Sequence, residues 1–185
     1  MLTVANHAAA GEQYGMEDGL ANSRDVPDLV AAELQRNIEN GAKQCLADRK
    51  TTVQDAMEAK IIDLGTSVGV MLVKPRIPSD PRAAWGCLCG TYTCPMWIYS
   101  SEGTTTHRIW SAVGDSVEIV DRKDSGVKRL LVSSGSAGHQ SAILYDWNGQ
   151  KYVVLRKKMV IYGQGIEHDE RVENELDKFR ERAAR

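Results

Sequence analysis

The sequence predicts a mainly β domain of the α+β class, an antiparallel meander or sandwich-like sheet carrying helices. Short runs rich in β-branched and aromatic residues, separated by clusters of Gly, Pro, Ser and Asp, fill the chain from residue 57 onward. All four tryptophans also lie in this part. The 185 residues, 42% of them apolar, suffice for one well-packed domain. We therefore predict a single β-rich domain over residues 25–163.

The N-terminal part predicts a leader followed by one amphipathic helix. Residues 1–24 are polar and glycine-rich, as is typical of a flexible leader. A helix over 26–44 should follow, because Asp25 can cap it and Pro27 fits its first turn. The predicted helix has an alternative, earlier C-terminus at Asn40 and Gly41. Apolar residues recur at every fourth position and predict the face that packs on the sheet: Val26, Val30, Leu34, Ile38 and Ala42.

Eight strands are expected after the helix. The loop between 75 and 86 is predicted by three prolines and Asp80. Asn148 and Gly149, between two apolar runs, predict a type I′ hairpin turn. The expected strands are 57–64, 68–74, 95–100, 105–112, 116–121, 127–132, 141–147 and 151–162.

The last residues, 164–185, predict a charged helical tail. Val172, Leu176 and Phe179 fall at helical spacing among many acidic and basic side chains. Two interpretations stay open. The tail is either a solvated helix held to the domain by this narrow stripe, or a helix that docks on a second subunit.

The cysteines bear on the compartment in which the protein works. Cys89 and Cys94 bracket a short turn that a disulfide can close, which leaves Cys87 free to reach Cys45. Buried thiols and a zinc site are the alternatives, although no second ligand pair completes a zinc site. Two disulfides would indicate an oxidising compartment.

The N-terminus agrees with export only indirectly. It lacks the basic and long apolar regions of an intact signal peptide, while the small residues 8–10 resemble the end of one. We therefore expect a periplasmic or secreted protein whose signal peptide is absent from this chain.

Charge and hydropathy exclude two classes of partner. With 23 basic and 25 acidic residues the net charge is −2, which argues against a nucleic-acid binder. No apolar run approaches the roughly 18 residues of a membrane-spanning helix. We expect neither nucleic-acid binding nor membrane insertion, and a protein partner becomes the more plausible ligand.

No complete catalytic motif is present, so the chain is predicted not to be an enzyme. Ser136 lies between two glycines near His139, but the glycine spacing is not that of a nucleophile elbow. Carboxylates show no paired arrangement, and no cofactor or metal is predicted. A Ser/His hydrolase therefore ranks below the binding functions.

Two segments are candidate binding surfaces. Residues 133–141 predict an exposed loop of small polar side chains between two strands, of the kind that inserts into a partner's cleft. The loop at 76–92 offers aromatic anchors for a protein interface. The candidate contact residues are Ser133, Ser134, Ser136, His139, Trp85 and Tyr92.

Several local patterns together resemble a family of small exported bacterial β-domain proteins. The first is the C-x4-C pair Cys89 and Cys94, which is followed by a Pro-x-Trp string at Pro95 to Trp97. The second is a Gly-His pair near the start of a later strand. The third is the Tyr-Asp-Trp-Asn-Gly string that begins at Tyr145. The resemblance covers about residues 25–155. The nearest functional comparison is with periplasmic immunity proteins that plug cell-wall amidases delivered by type VI secretion. The resemblance implies a protein partner, with a peptidoglycan hydrolase as the specific candidate.

The chain also departs from this family. Many members have an Asp- and Gly-rich loop after the helix cysteine, of a kind that could hold calcium. Residues 47–55 contain no glycine and carry two cations here, so we predict no metal at this position. The charged tail is not part of the family pattern either.

The resulting hypothesis is a non-enzymatic exported binding protein, an inhibitor or immunity factor that acts through residues 133–141. The alternative is a structural or assembly protein of the cell envelope, self-associating through a sheet edge or the tail.

Overall fold

A computed structural model describes residues 11–122, 126–136, 138–161 and 178–182. The predicted mainly β fold is confirmed. Each of the eight expected strands is present, and an unexpected one precedes them. The strands of the described chain are β1 Glu12–Gly15, β2 Met57–Ile62, β3 Gly69–Pro75, β4 Cys94–Glu102, β5 Thr105–Gly114, β6 Ser116–Val120, β7 Arg129–Ser136, β8 His139–Trp147 and β9 Tyr152–Ile161.

The strands form two antiparallel sheets that pack face to face. Sheet A has the order β1-β6-β7-β8-β9, and sheet B has the order β2-β3-β4-β5. The core between them takes Leu72 and Ile98 from sheet B and Leu130 and Val132 from sheet A. The predicted sandwich is therefore built from two meanders, with β1 added at the edge of sheet A.

One tight corner passes the chain from sheet B to sheet A. Only Asp115 separates β5 from β6. A Cβ atom on Gly114 would lie 2.6 Å from Val132 Cγ1 and 2.8 Å from the Ser133 carbonyl oxygen. Glycine is needed here because the backbone of β5 passes too close to β7 for any side chain.

Sheet B is buried on both faces. Val70 and Leu72 of β3 face sheet A, while Met71 and Val73 face the helices on the opposite side. A strand with two buried faces needs a continuous apolar run instead of an alternating one, as residues 70–73 have.

The predicted helix over 26–44 is in fact two helices, α1 Asp28–Asn37 and α2 Asn40–Asp48, and the short helices α3 Val53–Ala56 and α4 Trp85–Leu88 follow them. Ile38 and Glu39 between them have extended backbones, with ψ near 155° and 150°. The break is stabilised because Lys43 Nζ donates to the Arg36 carbonyl oxygen at 3.0 Å and so satisfies an end of α1. Apolar residues recur at every fourth position on both sides of the break, which explains why the pattern predicted a single helix.

Glu33 anchors α1 to sheet B. Its carboxylate accepts a hydrogen bond from the Tyr99 hydroxyl of β4 and lies 3.5 Å from Arg108 Nη1 of β5. Burial and the bond to Glu33 together raise the pKa of the Tyr99 hydroxyl. A carboxylate near the middle of the helix thus fixes the helix across two neighbouring strands.

The predicted leader is wrong for residues 11–24, while residues 1–10 lie outside the described chain. Strand β1 pairs with β6, and Tyr14, Met16 and Leu20 are buried. The glycine-rich composition concealed this, because a strand of four residues shows little periodicity of its own.

A buried ion pair holds this N-terminal segment against sheet B. Lys74 is 1% exposed and Glu58 5% exposed, and Lys74 Nζ lies 3.3 Å from Glu58 Oε1. Lys74 Nζ also donates to the Met16 carbonyl oxygen at 3.1 Å, and Glu58 accepts from the Leu20 amide at 3.3 Å. Burial lowers the pKa of Lys74, and Glu58 opposes that shift.

The predicted type I′ turn at Asn148 and Gly149 is a longer connection. Trp147 pairs with Tyr152, so four residues form the loop. Gly149 has φ of +98°, whereas Asn148 is not left-handed and instead accepts from the amides of Gln150 and Lys151. The asparagine therefore works through its side chain, as in an Asx turn, and not through a positive φ.

The described part of the charged tail covers 178–182, a short helix named α5 here. Phe179 packs on the outer face of sheet A, against Leu131 and Leu144. Val172 and Leu176, which were predicted to share its stripe, lie outside the described residues. No helix in the described ranges is both long and apolar enough to cross a membrane.

The buried pair yields a stability prediction. Lys74→Met should lower the free energy of unfolding by about 3–5 kcal/mol, because it leaves Glu58 charged and buried without its cation. Urea denaturation measures the loss. Lys60→Met is the matched control, since the Lys60 to Glu12 pair is more exposed, and it should cost about 1 kcal/mol. A loss from Lys74→Met no larger than the control would contradict the role assigned to the pair.

Candidate protein-binding surfaces

Residues 133–141 do not form the predicted exposed loop. They are the paired ends of β7 and β8, with Ser134 opposite Ser141 and Ser136 opposite His139. Only residues 137 and 138 lie between that last pair. The small polar composition predicted a loop, but pairing between the two strands overrides it, because β-propensity depends strongly on context. We call this feature the β7–β8 hairpin end.

Ser136 and His139 are in contact, but not in the arrangement of a catalytic triad. Ser136 Oγ lies 2.9 Å from His139 Nδ1. In a triad the serine bonds Nε2, and a carboxylate holds Nδ1 in the correct tautomer. Here Ser136 occupies the nitrogen that the carboxylate would need, and no carboxylate of the described residues bonds the ring. This contact is a cross-strand hydrogen bond.

Ser133 and Ser134 line a small polar pocket of about 240 Å³. Asp115, Gln140 and Arg180 also contribute to it, and Gln140 Oε1 is buried without a partner among the described atoms. Nearby, burial raises the pKa of Glu118, while Arg180 Nε, 3.7 Å from its carboxylate, opposes the shift. Ser136 and His139 are not among the residues that line this pocket, so the predicted contact residues of the hairpin divide into two groups.

Both disulfides are present, with the pairing that the spacing suggested. Cys45 bonds Cys87, joining α2 to the short helix α4 Trp85–Leu88, and Cys89 bonds Cys94 at the start of β4. This outcome removes the alternatives of buried thiols and of a zinc site at these residues. No cluster of three potential metal ligands occurs within the described ranges.

The two disulfides border an open groove of about 670 Å³. Its floor is the outer face of sheet B, with Pro95 and Trp97 of β4 and Val113 of β5. One wall is the junction of α1 and α2 at residues 37–42, and the other is formed by residues between 87 and 93. We call this the disulfide groove. It exists because the helix layer does not extend over the end of sheet B.

The groove has a mixed lining. Apolar side chains such as Pro95 and Val113 lie beside polar ones such as Asn37 and Thr93, and Glu39 is the one charged side chain among the described residues that line it. Val113 on the floor is 62% exposed. A partner surface that carries both apolar anchors and hydrogen-bonding groups is therefore the chemistry that the groove accepts.

Tyr92 and Trp85 differ in their suitability as anchors. Tyr92 lies in the turn closed by the Cys89–Cys94 bond, beside the groove wall, and is 54% exposed. Trp85 begins α4 and is half-buried, and it does not line the groove. Tyr92 is thus the aromatic side chain that a partner meets first.

Sequence reasoning missed one further surface. The strand expected at 151–162 is β9, but its place at the edge of sheet A was not foreseen. Its apolar residues, including Val154, Met159 and Ile161, are exposed. The three successive cations at 156–158 were the available signal, because edge strands often carry Lys and Arg.

No protein-family model, curated protein or solved structure matches the chain.

The disulfides should differ in their contribution to stability. Replacing Cys45 and Cys87 by Ala should cost about 4 kcal/mol, and replacing Cys89 and Cys94 about 2 kcal/mol, because the first bond closes a separation of 42 residues and the second only 5. Urea denaturation of the two double variants tests this order. Intact mass with and without reduction checks that both bonds form, and equal losses in the two variants would contradict the loop-length argument.

Proposed function

We propose that the protein is a non-enzymatic binding protein of an oxidising compartment, periplasmic or secreted, which docks a partner protein in the disulfide groove. The observation that carries the proposal is that two disulfides border an open groove with the exposed Val113 on its floor and the exposed Tyr92 beside its wall. Disulfides persist outside the reducing cytosol, which supports the compartment.

The groove has the properties of a preorganised interface. The Cys45–Cys87 bond ties the wall at α4 to α2, and the Cys89–Cys94 bond ties the same wall to β4. A surface held by covalent bonds loses little conformational entropy when a partner binds. Exposed aromatic side chains next to an apolar floor are where binding energy concentrates in protein interfaces.

Inhibition of a peptidoglycan hydrolase is the specific form of this proposal. It is supported by the resemblance to small exported bacterial β-domain proteins, for which immunity proteins are the nearest functional comparison. The residues that carry the resemblance include Cys89, Cys94, Pro95 and Trp97, all at or beside the groove. The β7–β8 hairpin end is kept as a second contact with the partner. His139 is exposed there and Ser136 is half-buried.

Two alternatives receive less support. A Ser/His hydrolase is disfavoured because Ser136 bonds Nδ1 of His139, the nitrogen that an orienting carboxylate should hold. Self-association through a sheet edge is favoured by the exposed apolar residues of β9, but its central cations oppose symmetric pairing of two copies.

The groove is tested by binding to a panel of purified cell-wall amidases, measured by surface plasmon resonance. Tyr92→Ala and Val113→Asp should each weaken the complex by about tenfold or more, the effect of losing a central interface side chain. Leu29→Asp is the matched control, because Leu29 is 65% exposed on α1 outside the groove, and it should leave the affinity unchanged.

Three results would count against the proposal. Absence of binding to every amidase contradicts the hydrolase-inhibitor form. Equal weakening by Leu29→Asp and Val113→Asp contradicts the groove as the contact. Hydrolysis of labelled peptidoglycan by the chain alone, abolished in His139→Ala, would restore the enzyme alternative.

A further inference from the structure

The edge strand β9 is long, exposed and apolar at both ends. It spans Tyr152–Ile161 and pairs with β8 on one side, while no described strand pairs with its other side. Val154 and Leu155 near its start and Met159 and Ile161 near its end are exposed, Ile161 by 74%. Such an edge presents unpaired backbone amides and carbonyls to any extended chain that approaches.

The centre of the same strand is strongly cationic. Arg156, Lys157 and Lys158 follow one another there. Together with Lys178 and Arg182 of α5 they line a cavity of about 190 Å³ next to Phe179, and no acidic residue is among its described lining. The chain as a whole has a net charge of −2, so this positive patch is a local feature of β9 and α5.

These charges discriminate between possible occupants of the edge. In a two-fold symmetric antiparallel pair of β9 strands centred on Lys157, Lys157 of one copy would lie opposite Lys157 of the other, and Arg156 would lie opposite Lys158. Like charges directly opposite one another destabilise a pair of strands. A strand with acidic residues at its centre would instead gain ion pairs there and keep the apolar contacts at both ends.

We propose that β9 binds an extended acidic segment of a partner protein, which adds as a sixth strand to the five strands of sheet A. Main-chain hydrogen bonds to β9 supply affinity, as in other cases of strand addition. The recognised pattern is two or three acidic residues flanked by apolar residues. The cations select this segment and at the same time discourage pairing of two copies.

This inference extends the proposed function from the disulfide groove to a second surface, and it rests on that function only in taking the chain to bind protein. Its probe is a synthetic peptide and not an amidase. Failure of the peptide experiment therefore leaves the groove proposal standing, and failure to bind amidases leaves the β9 proposal standing.

The probe is a fluorescent peptide as long as β9, with consecutive glutamates between flanking valines, tested on the full chain by fluorescence anisotropy. It should bind more tightly than a scrambled peptide, and its affinity should fall as salt increases. Lys157→Glu should weaken binding at least tenfold. Lys151→Glu, the same exchange in the preceding turn, should change it less than twofold.

Strand addition has a signature that charge attraction alone lacks. Two further peptides carry N-methyl groups on alternate residues, one in each frame. A strand added at an edge directs its amides alternately toward β9 and toward solvent, so one frame should abolish binding and the other should preserve it. Equal binding of both frames would overturn strand addition, and binding no tighter than that of the scrambled peptide would overturn the proposal and leave the cations as edge protection only.

A second copy of the chain or the chain's own tail could occupy the edge of β9 instead, and each would give a distinct experimental result. A dimer in analytical ultracentrifugation that Val154→Asp disrupts would assign the edge to a second copy and overturn the proposal. Residues 162–177 of this chain are themselves acidic. If the peptide binds only the variant with Glu173→Gln and Glu175→Gln, the chain's own tail is the occupant and the external segment is wrong.

Discussion

Sheet B has to bury apolar side chains on both of its faces, because residues 70–73 of β3 point alternately in opposite directions and are all hydrophobic. Leu72 faces sheet A and Val73 faces α1 and its neighbours, and neither is exposed. Burial of apolar surface contributes about 25 cal/mol for each Å², so leaving either face open to water would be strongly destabilising. The helix layer is therefore a requirement of this sheet.

The position of that layer determines where the protein can bind. Glu33 fixes α1 over β4 and β5, and the Cys45–Cys87 bond fixes the end of α2 beside α4. Between these two attachments the chain breaks at Ile38 and Glu39. The floor that the helices leave partly open becomes the disulfide groove. The same contacts that complete the core thus define the edges of the binding surface.

The two proposed surfaces use different physical chemistry. The disulfide groove has a mixed apolar and polar lining between covalently tied walls, and Glu39 is the one charge among its described lining residues. The edge at β9 presents backbone groups between cations, so its interactions depend on salt and on an extended ligand. They also lie on different sheets, because the groove is on the outer face of sheet B and β9 ends sheet A. A partner can therefore be selected by shape at one surface and by charge at the other.

Local patterns in the sequence determined the mainly β class and eight of the strands, because periodicity and turn residues act over neighbouring residues. Cysteine spacing suggested the two disulfides without deciding between them and free thiols. The predicted leader and the loop at 133–141 were wrong for one reason. Glu12–Gly15 and residues 133–136 look irregular by composition and become strand by pairing with β6 and β8. Only the tertiary structure decided that α1 and α2 stop short of Val113 and that β9 lies at an edge. Burial of a residue depends on which distant elements cover it, and that information is not carried by its own neighbours in the chain.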